Sequence, residues 1–221
     1  MKIRHALLAS ALALATSLPA TAATVRLTAF TYNPATTVTV GAPNYSGRAG
    51  QFVGTLDDQA FQTFCMDLLQ DFSFNTTYTY SVVDGVTAWG ATRSSAIDKV
   101  FSYAIANNLP SDAATSATVQ SALWEVLYET NPGYGFASGA FRVSSSGPTQ
   151  SALNAWNWNA VLSTPVTHRA SQLFHPSRQD FVVVSRVPEP ASVAMLGLGL
   201  LGVLSLARVR TRRPRRAPAQ G

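Results

Sequence analysis

The sequence predicts an α+β fold, in which an antiparallel, β-rich N-terminal half packs against two or three helices. The first observation is a series of short segments between Thr24 and about Tyr80 that are rich in threonine, valine and aromatic residues. Turn residues separate these segments, as is typical of antiparallel strands. The second observation is a change of period after Asp84-Gly85, where apolar residues recur at helical spacing.

Six strands and three helices are expected. The strands are predicted over 24–30, 36–40, 51–54, 60–65, 76–82 and 181–184, and the helices over 92–107, 111–130 and 148–162. Ser111 or Asp112 is expected to cap the second helix, which ends at Glu129 or Thr130. One apolar stripe predicts that this helix is amphipathic; its members are Val119, Ala122, Leu123, Val126 and Leu127.

Two terminal segments flank a globular core that is predicted over 23–186. The first 22 residues have a basic start, an apolar run and the small residues Ala20-Thr21-Ala22, which together indicate a secretory signal peptide and an exported protein. At the other end, 191–207 is free of charged residues and long enough to be expected to span a membrane as a helix. An arginine cluster follows it, composed of Arg208, Arg210, Arg212, Arg213, Arg215 and Arg216. Because positive residues stay on the cytoplasmic side, the core is expected outside the inner membrane.

The positive charge of the chain is concentrated at its ends. The formal net charge is +5, but two of the sixteen basic residues lie in the signal peptide and six in the arginine cluster. The core therefore has eight basic residues against ten acidic ones. Nucleic acid is accordingly not expected as a partner.

Cys65 and Gln120 are the candidate site residues of the core. Cys65 is the single cysteine and ends a predicted strand, so it cannot form a disulfide within the chain. Gln120 lies beside the apolar stripe of the second helix, where an unpaired carboxamide would cost roughly 1–3 kcal/mol. One interpretation is a core glutamine that is hydrogen-bonded to the backbone of a neighbouring strand, and an inert buried thiol.

The C-terminal tail resembles the PEP-CTERM sorting signal of exported proteins. The resemblance rests on Val187, Pro188, Glu189 and Pro190, followed by the apolar segment and the arginine cluster. It implies cleavage by an exosortase-type enzyme, a transient anchor in the inner membrane, and a final place at the cell surface or outside the cell. It also implies an association with exopolysaccharide or biofilm matrix. The alternative is a permanent membrane anchor.

The core resembles the thioester-forming domains of bacterial surface proteins. Phe64-Cys65-Met66-Asp67 is similar to their cysteine motif, and Val119-Gln120-Ser121-Ala122-Leu123-Trp124 to their glutamine motif, with Val and Leu in place of Thr and Ile. The resemblance implies that the Cys65 thiolate attacks the Gln120 carbonyl, releases ammonia and stores an acyl group. Asp67, Glu125 and Tyr128 are possible helpers by sequence position.

Three functional classes follow from these features. The first is a surface or matrix protein whose Cys65–Gln120 thioester captures an amine or hydroxyl on a partner, and the second is a non-covalent interaction module. The third is a cysteine hydrolase, which would need His168 or His175; both are expected to be solvated loop residues. No metal or cofactor motif occurs in the sequence, and an enzyme is not expected.

Overall fold

The computed structural model describes residues 22–131 and 133–187, together with Gly199. Pro188-Glu189-Pro190 and the arginine cluster lie outside these residues, as do the predicted membrane-spanning segment apart from Gly199 and the predicted signal peptide apart from Ala22. Among the described residues, no helix has the length and apolar character needed to cross a bilayer.

The described chain forms nine strands and five helices. The strands are β1 (Ala22–Phe30), β2 (Thr36–Val40), β3 (Tyr45–Ala49), β4 (Phe52–Leu56), β5 (Gln59–Thr63), β6 (Thr77–Asp84), β7 (Val143–Ser144), β8 (His168–Phe174) and β9 (Phe181–Arg186). The helices are α1 (Gly85–Trp89), α2 (Ala91–Ala106), α3 (Ala113–Tyr128), α4 (Gly147–Ala155) and α5 (Trp158–Ser163). The α+β fold class and the antiparallel N-terminal half are as the sequence predicted.

The larger sheet contains six antiparallel strands in the order β5-β4-β1-β6-β8-β9. Its first and last strands also meet. The hydroxyl of Thr63, at the end of β5, donates a hydrogen bond to the carbonyl oxygen of Val182 on β9 over 2.7 Å, and it accepts one from the Val182 amide over 3.2 Å. Just beyond, Cys65 forms a β-bridge with Phe181. The sheet therefore closes on itself along a seam between residues 63–66 and β9.

A smaller sheet, in the order β3-β2-β7, packs on α3. Helices α2 and α4 pack on α3 as well. As a result, every residue from Ser116 to Val126 is buried. The prediction that this helix is amphipathic is therefore wrong, because neighbouring elements cover its polar side too.

Helix α3 tolerates this burial because its small polar residues are satisfied within the helix. The hydroxyl of Thr118 donates to the carbonyl oxygen of Ala114 over 2.9 Å, and that of Ser121 to Ala117 over 2.8 Å. At its start, Asp112 and Thr115 form a reciprocal capping box, which satisfies two amide groups that the helix leaves free. Of the hydrogen-bonding side chains in its centre, Gln120 is the one that reaches into the larger sheet.

Several elements differ from those expected. The predicted helix over 148–162 is two helices, because the chain is extended at Trp156 and Asn157, and the Asn157 side chain accepts a hydrogen bond from Ala160 to cap α5. Strands β3, β7 and β8 and helix α1 were not predicted. His168 lies in β8, so its expected place in a loop is wrong.

Candidate functional site

Cys65 lies on the seam of the closed sheet. It follows β5 by two residues, pairs with Phe181 of β9 and is 1% exposed. Its thiol donates to the carbonyl oxygen of Asp67 over 2.6 Å, and its sulfur accepts from the Asp67 amide over 3.3 Å. The thiol is thus held by the backbone of the next turn of chain, away from bulk solvent.

The side chain of Gln120 projects from α3 onto the backbone of Cys65. Its Oε1 accepts from the Cys65 amide over 2.9 Å, and its Nε2 donates to the Cys65 carbonyl oxygen over 2.7 Å. The two residues are 55 positions apart in the chain. The carboxamide occupies the place that a peptide group of a neighbouring strand would take, and it satisfies both polar backbone atoms of Cys65. The structure therefore brings the two predicted site residues together.

The environment keeps the Cys65 thiol protonated. Burial raises the pKa of Cys65 strongly, and the carboxylates of Asp67 and Asp180 raise it further because they disfavour a second negative charge. The hydrogen bond with the Asp67 backbone and the nearby indole of Trp124 lower this pKa by more than the carboxylates raise it individually, but by less than burial does. A thiol in this state is a poor nucleophile towards reagents in solution.

The three residues suggested as helpers make different contacts around Cys65. Asp67 is adjacent, but its carboxylate Oδ1 accepts from the Leu69 amide over 2.7 Å. The Tyr128 hydroxyl accepts from the Leu68 amide over 3.0 Å, and burial raises the pKa of Tyr128 to about 12. Glu125 faces the loop after α3 instead, where its Oε1 accepts from the Gly135 amide over 2.6 Å.

A cavity of about 210 Å³ opens beside Cys65 and Gln120, which both line it. Its walls include Tyr45 and Trp124, whose rings meet edge to face with centroids 5.6 Å apart. Gln70 and Asp71 line it as well, and sequence reasoning missed both of them because they lie in a segment without periodicity. Trp124 belonged to the glutamine motif, so its position beside the site could have been anticipated.

Neither histidine of the core forms a hydrogen bond with Cys65 among the described residues. His175 follows β8; its ring nitrogen accepts from the Ser177 amide over 3.1 Å, and its ring packs edge-on against Tyr80. The ring of His168 pairs with the hydroxyl of Thr167 over 3.0 Å. The arrangement therefore offers no cysteine–histidine pair. The described part of the chain also has no group of three or more His, Cys, Asp or Glu side chains placed to hold a metal ion.

The predicted sorting motif begins where the larger sheet ends. Strand β9 ends at Arg186, and the amide of Val187 still donates to the carbonyl oxygen of Thr167 over 2.9 Å. The motif therefore follows the last strand without an intervening linker in the described residues. Pro188, Glu189 and Pro190 lie beyond them.

Comparison with known proteins gives one match, and it concerns this tail. Residues 186–213 match the family model of the PEP-CTERM protein-sorting motif. No curated protein and no solved structure shows a significant match to the chain. The resemblance of the core to thioester-forming domains thus receives no support from these comparisons. The chain carries a PEP-CTERM sorting motif, which indicates an exported protein that an exosortase-type enzyme processes.

Proposed function

We propose that the protein is a cell-surface or extracellular-matrix component whose core attaches covalently to a partner through a thioester between Cys65 and Gln120. One observation carries the proposal: the Gln120 carboxamide is fixed against Cys65 by two hydrogen bonds, of 2.9 and 2.7 Å, inside a cavity that both residues line. A carboxamide held against the backbone of the residue that carries the thiol supports the proximity that an intramolecular acyl transfer requires.

Thioester formation exchanges one bond for another without an external reagent. The sulfur of Cys65 attacks Cδ of Gln120, the bond from Cδ to Nε2 breaks, and the thiol proton leaves on the nitrogen as ammonia. The Cys65 amide already donates to Oε1, so it is placed to stabilise the negative charge that develops on that oxygen. The departing nitrogen takes with it the hydrogen bond to the Cys65 carbonyl oxygen.

The Cys65 thiol must give up its proton in this reaction, because the resting thiol is neutral. Asp180 is the acceptor that we propose: its backbone carbonyl accepts from the Met66 amide at the seam, and burial raises the pKa of its carboxyl group to about 6. Its carboxylate also accepts from the His175 amide and from Nε2 of Gln172, each over 2.7 Å. A carboxylate with this pKa accepts a proton more readily than an ordinary aspartate does. The high pKa of Cys65 also protects the lone thiol from oxidation during export, since the thiolate is the form that oxidants attack.

The product would be a thioester, which stores the acyl group of Gln120 until an amine or a hydroxyl on a partner attacks it. Attack on Cδ of Gln120 forms an amide or an ester and returns the proton and the electron pair to the sulfur of Cys65. A surface protein with this chemistry becomes permanently joined to its target. Amine-bearing surface molecules and the hydroxyl groups of exopolysaccharide are the partner classes that we propose.

Intact mass of the exported protein, purified from the culture, tests the thioester directly. We expect a mass one ammonia below the value calculated from the sequence, no titratable thiol, and addition of methylamine at Gln120 with release of Cys65. The Cys65→Ala variant should have its full calculated mass and take up no methylamine. Gln150→Ala, which changes a glutamine of α4, should behave like the wild type.

A non-covalent interaction module is the second candidate, and the same two hydrogen bonds favour it. They satisfy the buried amide and carbonyl of Cys65 without any reaction, as a structural glutamine would. A wild-type mass equal to the calculated value, with one buried free thiol, would select this candidate and refute the thioester.

The tail is proposed to act as a transient anchor with the core outside the inner membrane. A tag placed after Gly221 should be absent from the surface-associated protein. Replacement of Pro188, Glu189 and Pro190 by alanine should retain the protein in the inner membrane. Equal release of this variant and the wild type would indicate a permanent anchor instead of a processed signal.

A further inference from the structure

Two buried polar atoms in the wall of the cavity beside Cys65 have no hydrogen-bond partner among the described residues. They are Oε1 of Gln70, an acceptor, and Nε1 of Trp124, a donor whose side chain is 2% exposed. Buried polar atoms are normally satisfied, and each unsatisfied one costs roughly 1–3 kcal/mol. The free acceptor of Gln70 indicates that a group with an N–H or O–H donor belongs in the cavity, whereas Nε1 of Trp124 lies beside the sulfur of Cys65.

The chemistry of the walls indicates which group fits. Gln70 Oε1 requires an N–H or O–H donor, and the neighbouring Asp71 adds negative charge at the same cavity. The rings of Tyr45 and Phe72 complete the apolar part of the wall. An acceptor, a carboxylate and aromatic faces together suit a small amine in both its protonated and neutral forms. Arg48 also lines the cavity, so the negative charge of Asp71 is partly balanced.

Trp124 lies beside the sulfur of Cys65 and would act on the leaving group of the reaction. Its Nε1 lies near the sulfur of Cys65, close enough to lower the pKa of the thiol, although it does not form a hydrogen bond with full geometry. When the thioester opens, the sulfur departs from Cδ of Gln120 with an electron pair. An indole N–H beside it can then donate to the thiolate that forms.

We propose that Gln70 and Trp124 form the subsite for the attacking amine. Gln70 Oε1 accepts one N–H of the amine and so directs the lone pair of the amine nitrogen at Cδ of Gln120. Trp124 Nε1 donates a hydrogen bond to the departing sulfur. The amine forms a C–N bond, the C–S bond breaks, and one amine proton ends on the sulfur. The subsite rests on the proposed thioester for its reaction, but the binding of an amine in the cavity does not require the covalent bond.

The first experiment compares the rate at which methylamine opens the thioester in the wild type and in Gln70→Leu, a change that removes the acceptor and keeps a similar volume. We expect the variant to form the thioester, as judged by ammonia loss, and to react about tenfold more slowly, with a higher half-saturating methylamine concentration. Gln150→Leu, the same change outside the cavity, should leave the rate unaltered. A wild-type rate for Gln70→Leu at every methylamine concentration would overturn the subsite and leave the thioester standing.

A second experiment separates the subsite from the covalent proposal. In Cys65→Ala no thioester can form, and binding of methylammonium chloride is followed by the change in tryptophan fluorescence, with sodium chloride at equal ionic strength as the reference. We expect saturable binding, weakened about tenfold or more in Cys65→Ala/Gln70→Leu. Binding without ammonia loss in the wild type would refute the thioester alone, whereas absence of binding would refute the subsite.

Trp124→Phe tests the donor. After methylamine has opened the thioester, the rate at which iodoacetamide alkylates the released Cys65 is measured against pH. Without the indole N–H, the pH of half-maximal reactivity should rise relative to the wild type, a shift that a merely structural role would not produce. An unchanged pH profile, in a variant with an unchanged melting temperature, would remove Trp124 from the subsite.

Discussion

The two hydrogen bonds between Gln120 and Cys65 should be a major source of stability in the chain without a thioester. To measure them apart from any covalent bond, we would replace Gln120 by Met in a Cys65→Ala background. Alanine keeps the amide and the carbonyl of residue 65, and methionine nearly keeps the volume and helix propensity of glutamine. The substitution therefore removes the carboxamide and leaves two buried backbone groups unsatisfied.

The structure sets the expected magnitude. Gln120 is fully buried, and among the described residues neither the amide nor the carbonyl of Cys65 has another hydrogen-bond partner. Each orphaned group costs roughly 1–3 kcal/mol, so the pair should cost about 4 kcal/mol. With a urea dependence of about 2 kcal/mol/M, the unfolding midpoint should fall by roughly 2 M.

Urea unfolding followed by tryptophan fluorescence provides the assay, and α4 provides a matched control. Gln150 also makes two side-chain hydrogen bonds, to the Ser145 amide over 2.8 Å and to Asn154 over 2.9 Å, but it is only half-buried. Water can replace these partners, so Gln150→Met in the same background should cost less than about 1 kcal/mol. If the Gln120 and Gln150 variants lose equal stability, the carboxamide does not have the role at the seam that we assign to it.

Three further predictions concern the rest of the core. Burial raises the pKa of Glu125 from 4.5 to about 7, so between these pH values the native state keeps a proton that the unfolded chain releases. The free energy of unfolding should therefore fall by about 1–2 kcal/mol as the pH rises from 4.5 to about 7. Glu125→Gln should flatten this pH dependence, as measured by urea titrations at several pH values. Gly54→Ala places a methyl group against the carbonyl oxygen of Arg26 and 2.7 Å from the Cα of Leu27, next to the point where the register between β1 and β4 shifts. This clash should lower the free energy of unfolding by about 1–3 kcal/mol, as measured by thermal unfolding. Asp112→Ala removes the cap of α3 and should cost about 1 kcal/mol by urea unfolding, whereas Asp112→Asn, which keeps an acceptor, should cost less.

The sequence predicted those helices and strands whose own residues show the apolar spacing or the capping residues typical of the element. Strand β2 lies at its predicted bounds, and α3 begins directly after Asp112, one of the two residues predicted to cap it. Strand β8 has no such signal, because only Ala170 and Leu173 in it are buried. It is a strand because β6 and β9 flank it and satisfy its backbone, which is a property of the tertiary structure.

The residues of the candidate site also fall into those that the sequence could predict and those that it could not. Cys65 and Gln120 could be paired from sequence because each stands in a distinctive short motif and each presents a chemical problem in an apolar setting. Gln70 and Asp71 could not be placed, because the segment that holds them has neither strand alternation nor helical spacing. The burial of every residue from Ser116 to Val126 in α3 was equally hidden, since α4 and the smaller sheet, which help to enclose this helix, come from other parts of the chain.

The seam would have a mechanical consequence if the core, as proposed, is joined to a target while the tail still anchors it. Tension on the tail enters the core through β9, because Arg186 is the last residue of that strand. Phe181, on the same strand, is bridged to Cys65, which in turn is bound to Gln120. A load between the tail and a target joined at Gln120 would therefore cross one strand and one helix side chain. The other five strands of the sheet would lie off this path, so the fold could bear a pull without being unravelled from its N-terminal strands.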